Sequence, residues 1–189
     1  YYGKQIQLVS YLDVIMELLQ KRYPGKEIVP AAFMYINIDE PIISMEDIKS
    51  KEDIEKARLN YFRPSGIVNT DLEIIKNLDT NISSHSDVIP VSLKDGVVQD
   101  YRSSTASSER IKALRNFVKN KSIDIAQNIL KGNISISPSQ RGNYTACDYC
   151  EYSAMCGFDK KNGNHNYNVL GKMKDELVWE KILNDEKMD

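Results

Sequence analysis

The three cysteines of the chain share one short stretch, Ala146-Cys147-Asp148-Tyr149-Cys150-Glu151-Tyr152-Ser153-Ala154-Met155-Cys156-Gly157-Phe158-Asp159. Cys147 and Cys150, two residues apart, can turn both sulfurs toward one metal ion or cluster. Cys156, after five more residues, reaches the same centre over another turn. Thiolates select zinc or iron–sulfur clusters over hard cations. Both kinds of centre ordinarily take four ligands, and this stretch supplies three. His85 and His165 could complete a zinc site, although nothing in their spacing singles them out. Spacing alone leaves zinc and iron–sulfur undecided, beside the plainer alternative of three reduced thiols with no metal.

Gln7 and Tyr11 are the other pair with chemical reach. At i and i+4 they share a helix face, where an amide and a phenol can orient water or a phosphate. On the residues alone they read as an ordinary glutamine and a half-buried tyrosine beside an apolar stripe. The acids Asp13, Asp39, Glu40, Asp71 and Asp79 read mostly as solvated surface or turn residues, since charged groups are rarely buried. Arg110, Lys112, Arg115, Lys119 and Lys121 read as the solvated face of a helix. Lys and Arg total 25 against 27 Asp and Glu, a net charge of −2. That excludes a uniformly basic nucleic-acid binder but not a local basic cleft.

The elements that must position these groups follow from periodicity. Leu8, Leu12, Ile15, Met16 and Leu19 recur at helical spacing and predict a helix over 4–22, stopped by Tyr23-Pro24-Gly25. Residues 28–38 are apolar on both alternating faces and suit a strand covered on both sides. Residues 51–60 are charged and weakly helical, 71–77 suit a short helix, and 81–87 a polar loop. A hairpin is expected over 88–99, with Asp95-Gly96 at its turn and Pro90 demoting its first arm to an edge. The Ser-rich stretch 103–108 leads into a helix over 109–131 with the stripe Leu114, Phe117, Val118, Ile125 and Ile129, ended by Gly132. A closing helix is expected over 173–183, and Trp179 and the methionines read as core. The 189 residues and 21.6 kDa suit one domain, which at that size buries roughly 70% of its extended surface. No apolar run is long enough to span a membrane.

The chain opens Tyr1-Tyr2-Gly3-Lys4 with no charged region ahead of an apolar one, so it reads as cut from a longer protein or as a mature product. An odd set of clustered cysteines argues against an exported disulfide framework. The expected compartment is the cytoplasm, and the Asn-x-Ser/Thr matches at Asn81, Asn120, Asn133 and Asn143 read as chance.

Cys-x2-Cys-x5-Cys followed by Gly-Phe-Asp resembles the cysteine triplet of iron–sulfur nucleases in the RecB-like branch of the PD-(D/E)XK superfamily, most closely the B subunits of bacterial AddAB-type helicase–nucleases. Three other segments carry the resemblance in order. Tyr2-Gly3-Lys4-Gln5-Ile6-Gln7-Leu8-Val9-Ser10-Tyr11-Leu12 is similar to the family's Gln-x3-Tyr motif, Pro30-Ala31-Ala32-Phe33-Met34-Tyr35 to the next core strand, and Gly132-Asn133-Ile134-Ser135-Ile136-Ser137-Pro138 to the lead-in to the cysteines.

The resemblance implies an α/β, helix-rich, C-terminal portion of a nuclease domain with few strands, spanning 1–189 with its cluster segment at 146–159. It also implies that Cys147, Cys150 and Cys156 hold a 4Fe-4S cluster whose fourth cysteine, like the Mg²⁺-binding acids and lysine of phosphodiester hydrolysis, lies before Tyr1. Gln7 and Tyr11 then take supporting catalytic roles. The implied partners are DNA and the helicase–nuclease A subunit, in a heterodimer whose ATP is not bound here; the chain alone would be inactive. A second enzyme reading is another iron–sulfur RecB-like nuclease. A reading of a different class is a zinc-stabilised interaction module. Without metal, the clustered thiols are expected to sit in a loosely ordered or disulfide-linked segment.

Overall fold

The computed structural model describes residues 1–42, 50–161 and 165–186. The chain gathers into two compact bodies, residues 5–118 and residues 1–4 with 119–189.

The first body opens with helix α1, Gln7–Arg22. It starts three residues later than periodicity suggests, because nothing before Gln7 supplies a side-chain cap; Ile6 stands at the N-cap and Gly3 lies at φ +76°. Strand β1, Ala32–Tyr35, is also shorter than expected. Its antiparallel partner β2, Ser65–Asn69, fixes the ladder from Ala32↔Val68 to Tyr35↔Ser65. The two-sided burial expected of 28–38 is not found: Phe33 is buried, whereas Tyr35, Ile36 and Ile38 are exposed. β2 was hidden in the sequence by Pro64 and Gly66, both ordinary strand breakers. Gly66 is required there, since a Cβ would strike the Phe33 carbonyl oxygen and come within 2.6 Å of Met34 Cα.

Between these strands runs α2, Lys51–Phe62, started by a capping box in which Ser50 Oγ accepts from Asp53 N–H and the Asp53 carboxylate accepts from Ser50 N–H. After β2, the Asp71 carboxylate accepts from Glu73 N–H and begins α3, Leu72–Leu78. The hairpin forms as β3, Leu93–Lys94, and β4, Val97–Val98. Asp95 and Gly96 both take positive φ, 52° and 77°, as the tight two-residue turn demands. A 3₁₀ turn at Asp100–Arg102 leads to β5, Thr105–Ala106, which the Ser-rich composition concealed. It pairs parallel to β2, giving the order β1-β2-β5.

Val68, Ile75, Ile89, Val91 and Leu93 form the core of this body, each burial worth roughly 1.5–3 kcal/mol. Helix α4, Ser108–Leu130, starts here and continues into the second body. Its expected stripe holds only in part. Ile111, Ala113 and Val118 are buried, but Ile125 and Ile129 are exposed: the apolar period continues past the residues that cover it.

The second body holds β6, Ser139–Arg141, and β7, Tyr144–Thr145, in a tight hairpin. Next come α5, Ser153–Cys156, then β8, Asn168–Val169, and α6, Asp175–Glu186. β8 pairs parallel to β6, so the order is β7-β6-β8. Leu170 and Ile182 are buried and Trp179 is half-buried. The Tyr2 hydroxyl donates to Gly171 O at 3.1 Å and ties the first residues to this body. Among the described residues no helix is long and apolar enough to cross a membrane.

Candidate functional site

Helix α1 places Gln7 and Tyr11 one turn apart, and the side chains meet. Gln7 Nε2 donates to the Tyr11 hydroxyl at 2.6 Å. Both are exposed rather than half-buried. The amide is thereby held in one orientation, leaving its carbonyl oxygen and the phenolic hydrogen to face a ligand. The opposite side of α1 is anchored. Arg115 Nη2 and Nε both donate to Asp13 Oδ1, at 2.6 and 2.9 Å, with the two side chains about four-fifths buried. Asp13 is thus no solvated surface acid, and Arg115 no solvated helix residue. Removing either partner would leave a desolvated charge.

The cysteine stretch runs from the end of β7 through a series of turns into α5. Cys150 N–H donates to Cys147 O at 3.3 Å, Ser153 N–H to Cys150 O at 3.2 Å, and Cys156 N–H to Tyr152 O at 2.9 Å. The three thiols are free and partly buried. No disulfide joins the three cysteines, and backbone hydrogen bonds shape the segment.

Its base is closed by a network that cysteine spacing does not reveal. The Asp148 carboxylate accepts from the Thr145 hydroxyl at 2.6 Å and from Thr145 N–H at 2.7 Å. These bonds, the hydroxyl first, hold the Asp148 carboxyl below the ordinary carboxylate range. Thr145 Oγ1 in turn accepts from Cys147 N–H at 3.2 Å. Tyr167 lies just before β8 and is influenced by the Cys147 thiol and the Thr145 side chain. The thiol contact, the larger influence, raises the phenol above the ordinary tyrosine value. Thr145 and Asp148 carry the Ser/Thr-x-x-Asp/Glu spacing of a capping box, a signal that could have found them.

The donors suit a thiophilic centre in kind: three free thiols, accessible and on one turn-rich segment. They are one short of four, and among the described residues no three His, Cys, Asp or Glu side chains come together as a metal-holding group. Neither of the histidines weighed for zinc joins the cysteines in a metal-holding group. His85 Nδ1 bonds Ser92 Oγ at 2.9 Å, while His165 Nδ1 accepts from Asp159 N–H at 3.1 Å with its ring stacked on Phe158. Asp71 caps α3, and Asp79 accepts from the Ser86 hydroxyl at 2.7 Å; Asp39 and Glu40 are exposed. A cleft of about 470 Å³ along α2 is lined by Lys51, Glu55, Lys56 and Asp87, and contains none of the groups singled out above.

The profile of the PD-(D/E)XK nuclease superfamily matches residues 1–157, taking in both α1 and the cysteines. The chain belongs to the PD-(D/E)XK nuclease superfamily. Its mixed α/β architecture, with six helices and short strands among the described residues, is this superfamily's nuclease fold. Relatives in full-length proteins support the narrower resemblance. A Clostridium botulinum protein (strain Loch Maree / Type A3), named as the B subunit of an ATP-dependent helicase/deoxyribonuclease, is 41% identical over 183 residues, 96% of this chain and 16% of that protein. Proteins of the same name from Thermoanaerobacter sp. (strain X514) and Ruminiclostridium cellulolyticum are 36% and 35% identical, over 100% and 98% of the chain. The chain spans about 16% of the length of these relatives.

Proposed function

We propose that this chain is part of the nuclease domain of a helicase–nuclease B subunit that cuts DNA during double-strand-break repair and recombination. The observation that carries the reading is the superfamily match over residues 1–157 together with the paired, exposed Gln7 and Tyr11 of α1. In such a domain carboxylates hold Mg²⁺, which polarises the phosphoryl oxygen and activates water. Three of this chain's candidate acids already serve other partners: Asp13 the Arg115 guanidinium, Asp71 a helix start, Asp79 the Ser86 hydroxyl. On the family resemblance, the metal-holding carboxylates are assigned to the rest of the polypeptide. Gln7 and Tyr11 position water or a phosphate beside them.

Cys147, Cys150 and Cys156 are assigned as three ligands of a 4Fe-4S cluster, completed by a ligand from elsewhere in the same polypeptide. The cluster serves as a structural staple on which DNA binding depends. The working partner is a helicase A subunit, in a cytoplasmic heterodimer. Linear single- and double-stranded DNA in Mg²⁺ tests this function. The complete two-subunit complex is expected to cut, and the purified chain alone is not. Metal-dependent cleavage by the chain that survives further purification would return the chemistry to its own acids.

A further inference from the structure

The cysteines sit in a loop whose two ends are brought together by one small sheet. Gln140 of β6 is opposite Thr145 of β7, and Ser139 of β6 is opposite Asn168 of β8. Thr145, just before the first cysteine, and Asn168, after the last, therefore flank the same strand, and the Thr145 hydroxyl holds the Cys147 backbone. Cys150 and Cys156 are placed differently, by backbone bonds of the turns and of α5. Among the described residues, Cys147 is the cysteine whose backbone N–H is held by a side chain. Its N–H is held by a hydroxyl that is itself fixed by a carboxylate, and that carboxylate belongs to the residue that follows it.

We propose that Thr145 and Asp148 are a positioning pair that fixes Cys147 for its place in the cysteine centre. The proposal rests on the cluster assignment above and adds residues that ligate nothing. The chemistry is specific to the two groups. Asp148 accepts two hydrogen bonds from one residue, the Thr145 hydroxyl and N–H. An asparagine in its place keeps one acceptor for Thr145 N–H. Its N–H₂ group can meet Oγ1 only if the hydroxyl turns its hydrogen away and Oγ1 accepts from two N–H groups at once, with the charge-assisted bond lost. A valine at 145 keeps the strand and the shape but removes both the hydroxyl donor and the acceptor for Cys147 N–H. A serine keeps both. Hydrogen-bonded residues around metal ligands hold those ligands in orientation, and their loss typically costs about 10–100-fold in metal affinity.

The test uses the full-length protein, purified without oxygen as wild type, Asp148→Asn, Thr145→Val and Thr145→Ser. Iron and acid-labile sulfide per chain, absorbance near about 400 nm from thiolate-bound iron, and the rate of iron loss to a chelator are measured on each. Thermal melting and circular dichroism accompany them. Asp148→Asn and Thr145→Val are expected to lose iron about 10-fold faster or more at unchanged secondary structure, with Thr145→Ser near wild type. A wild-type protein without iron would overturn the cluster assignment and this proposal with it. A wild type that holds its cluster while Asp148→Asn holds it equally well would overturn the positioning pair alone. So would Thr145→Ser losing iron as fast as Thr145→Val, since the hydroxyl would then not be the operative group.

Discussion

Helix α1 and the cysteine stretch solve the same problem, holding reactive side chains in place, by different means. α1 uses repetition: sixteen helical residues make the spacing of Gln7 and Tyr11 a consequence of backbone geometry, and one ion pair on the far side holds the helix. The cysteine stretch has only a four-residue helix, α5, and relies on individual hydrogen bonds between turns. Long regular elements tolerate the loss of any single contact. A turn-built segment depends on a few specific ones, so its chemistry should be sensitive to substitutions beside the cysteines as well as in them.

The largest effect expected is on the cysteine side. Replacing Cys147, Cys150 and Cys156 together by alanine in the full-length protein should abolish iron and sulfide binding, read by metal analysis, while α1 keeps its helix. Retention of the cluster would break the contrast outright, because the stretch would then hold no centre. An intermediate effect tests the sheet beside α1. Gly66→Ala must push its Cβ into the β1 backbone, and overpacking of this kind costs about 1–3 kcal/mol or more. Denaturant unfolding of the chain should show that loss, and an unchanged midpoint would mean that β1 and β2 can separate freely. The smallest expected effect is at α2. Ser50→Ala removes the acceptor for Asp53 N–H, and loss of a cap costs about 1 kcal/mol. The same unfolding measurement should resolve it as a small shift. A shift as large as that of Gly66→Ala would show that a regular element also hangs on one contact.

The parts legible in the sequence were those governed by local rules. The short helix over 71–77, the Asp95-Gly96 turn and the shared face of Gln7 and Tyr11 each follow from a few neighbouring residues, and the structure has all three. Contacts distant in sequence were not legible. β2 exists because Gly66 lets β1 approach, and β5 because its backbone pairs with β2; neither has the alternation that marks a strand. Ile125 and Ile129 keep a helical period but lie exposed, because periodicity records which residues could be buried and not what covers them. At the candidate site, the thiols were visible as a spacing. The Thr145–Asp148 pair was marked only by its Thr-x-x-Asp spacing, which shows that two side chains can close a turn and not that the turn holds a cysteine.

If α1 carries working groups of a nuclease and the cysteine stretch carries its staple, the two should separate in one assay: the initial rate of Mg²⁺-dependent cleavage of linear DNA by the complete complex bearing Gln7→Ala, normalised to its iron content. Full iron, an unchanged fold and unwinding activity are expected, with cleavage slowed by about 100-fold, the scale of a lost positioning contact. Cleavage at the wild-type rate with full iron would contradict this, leaving Gln7 and Tyr11 as an exposed pair without a part in the chemistry.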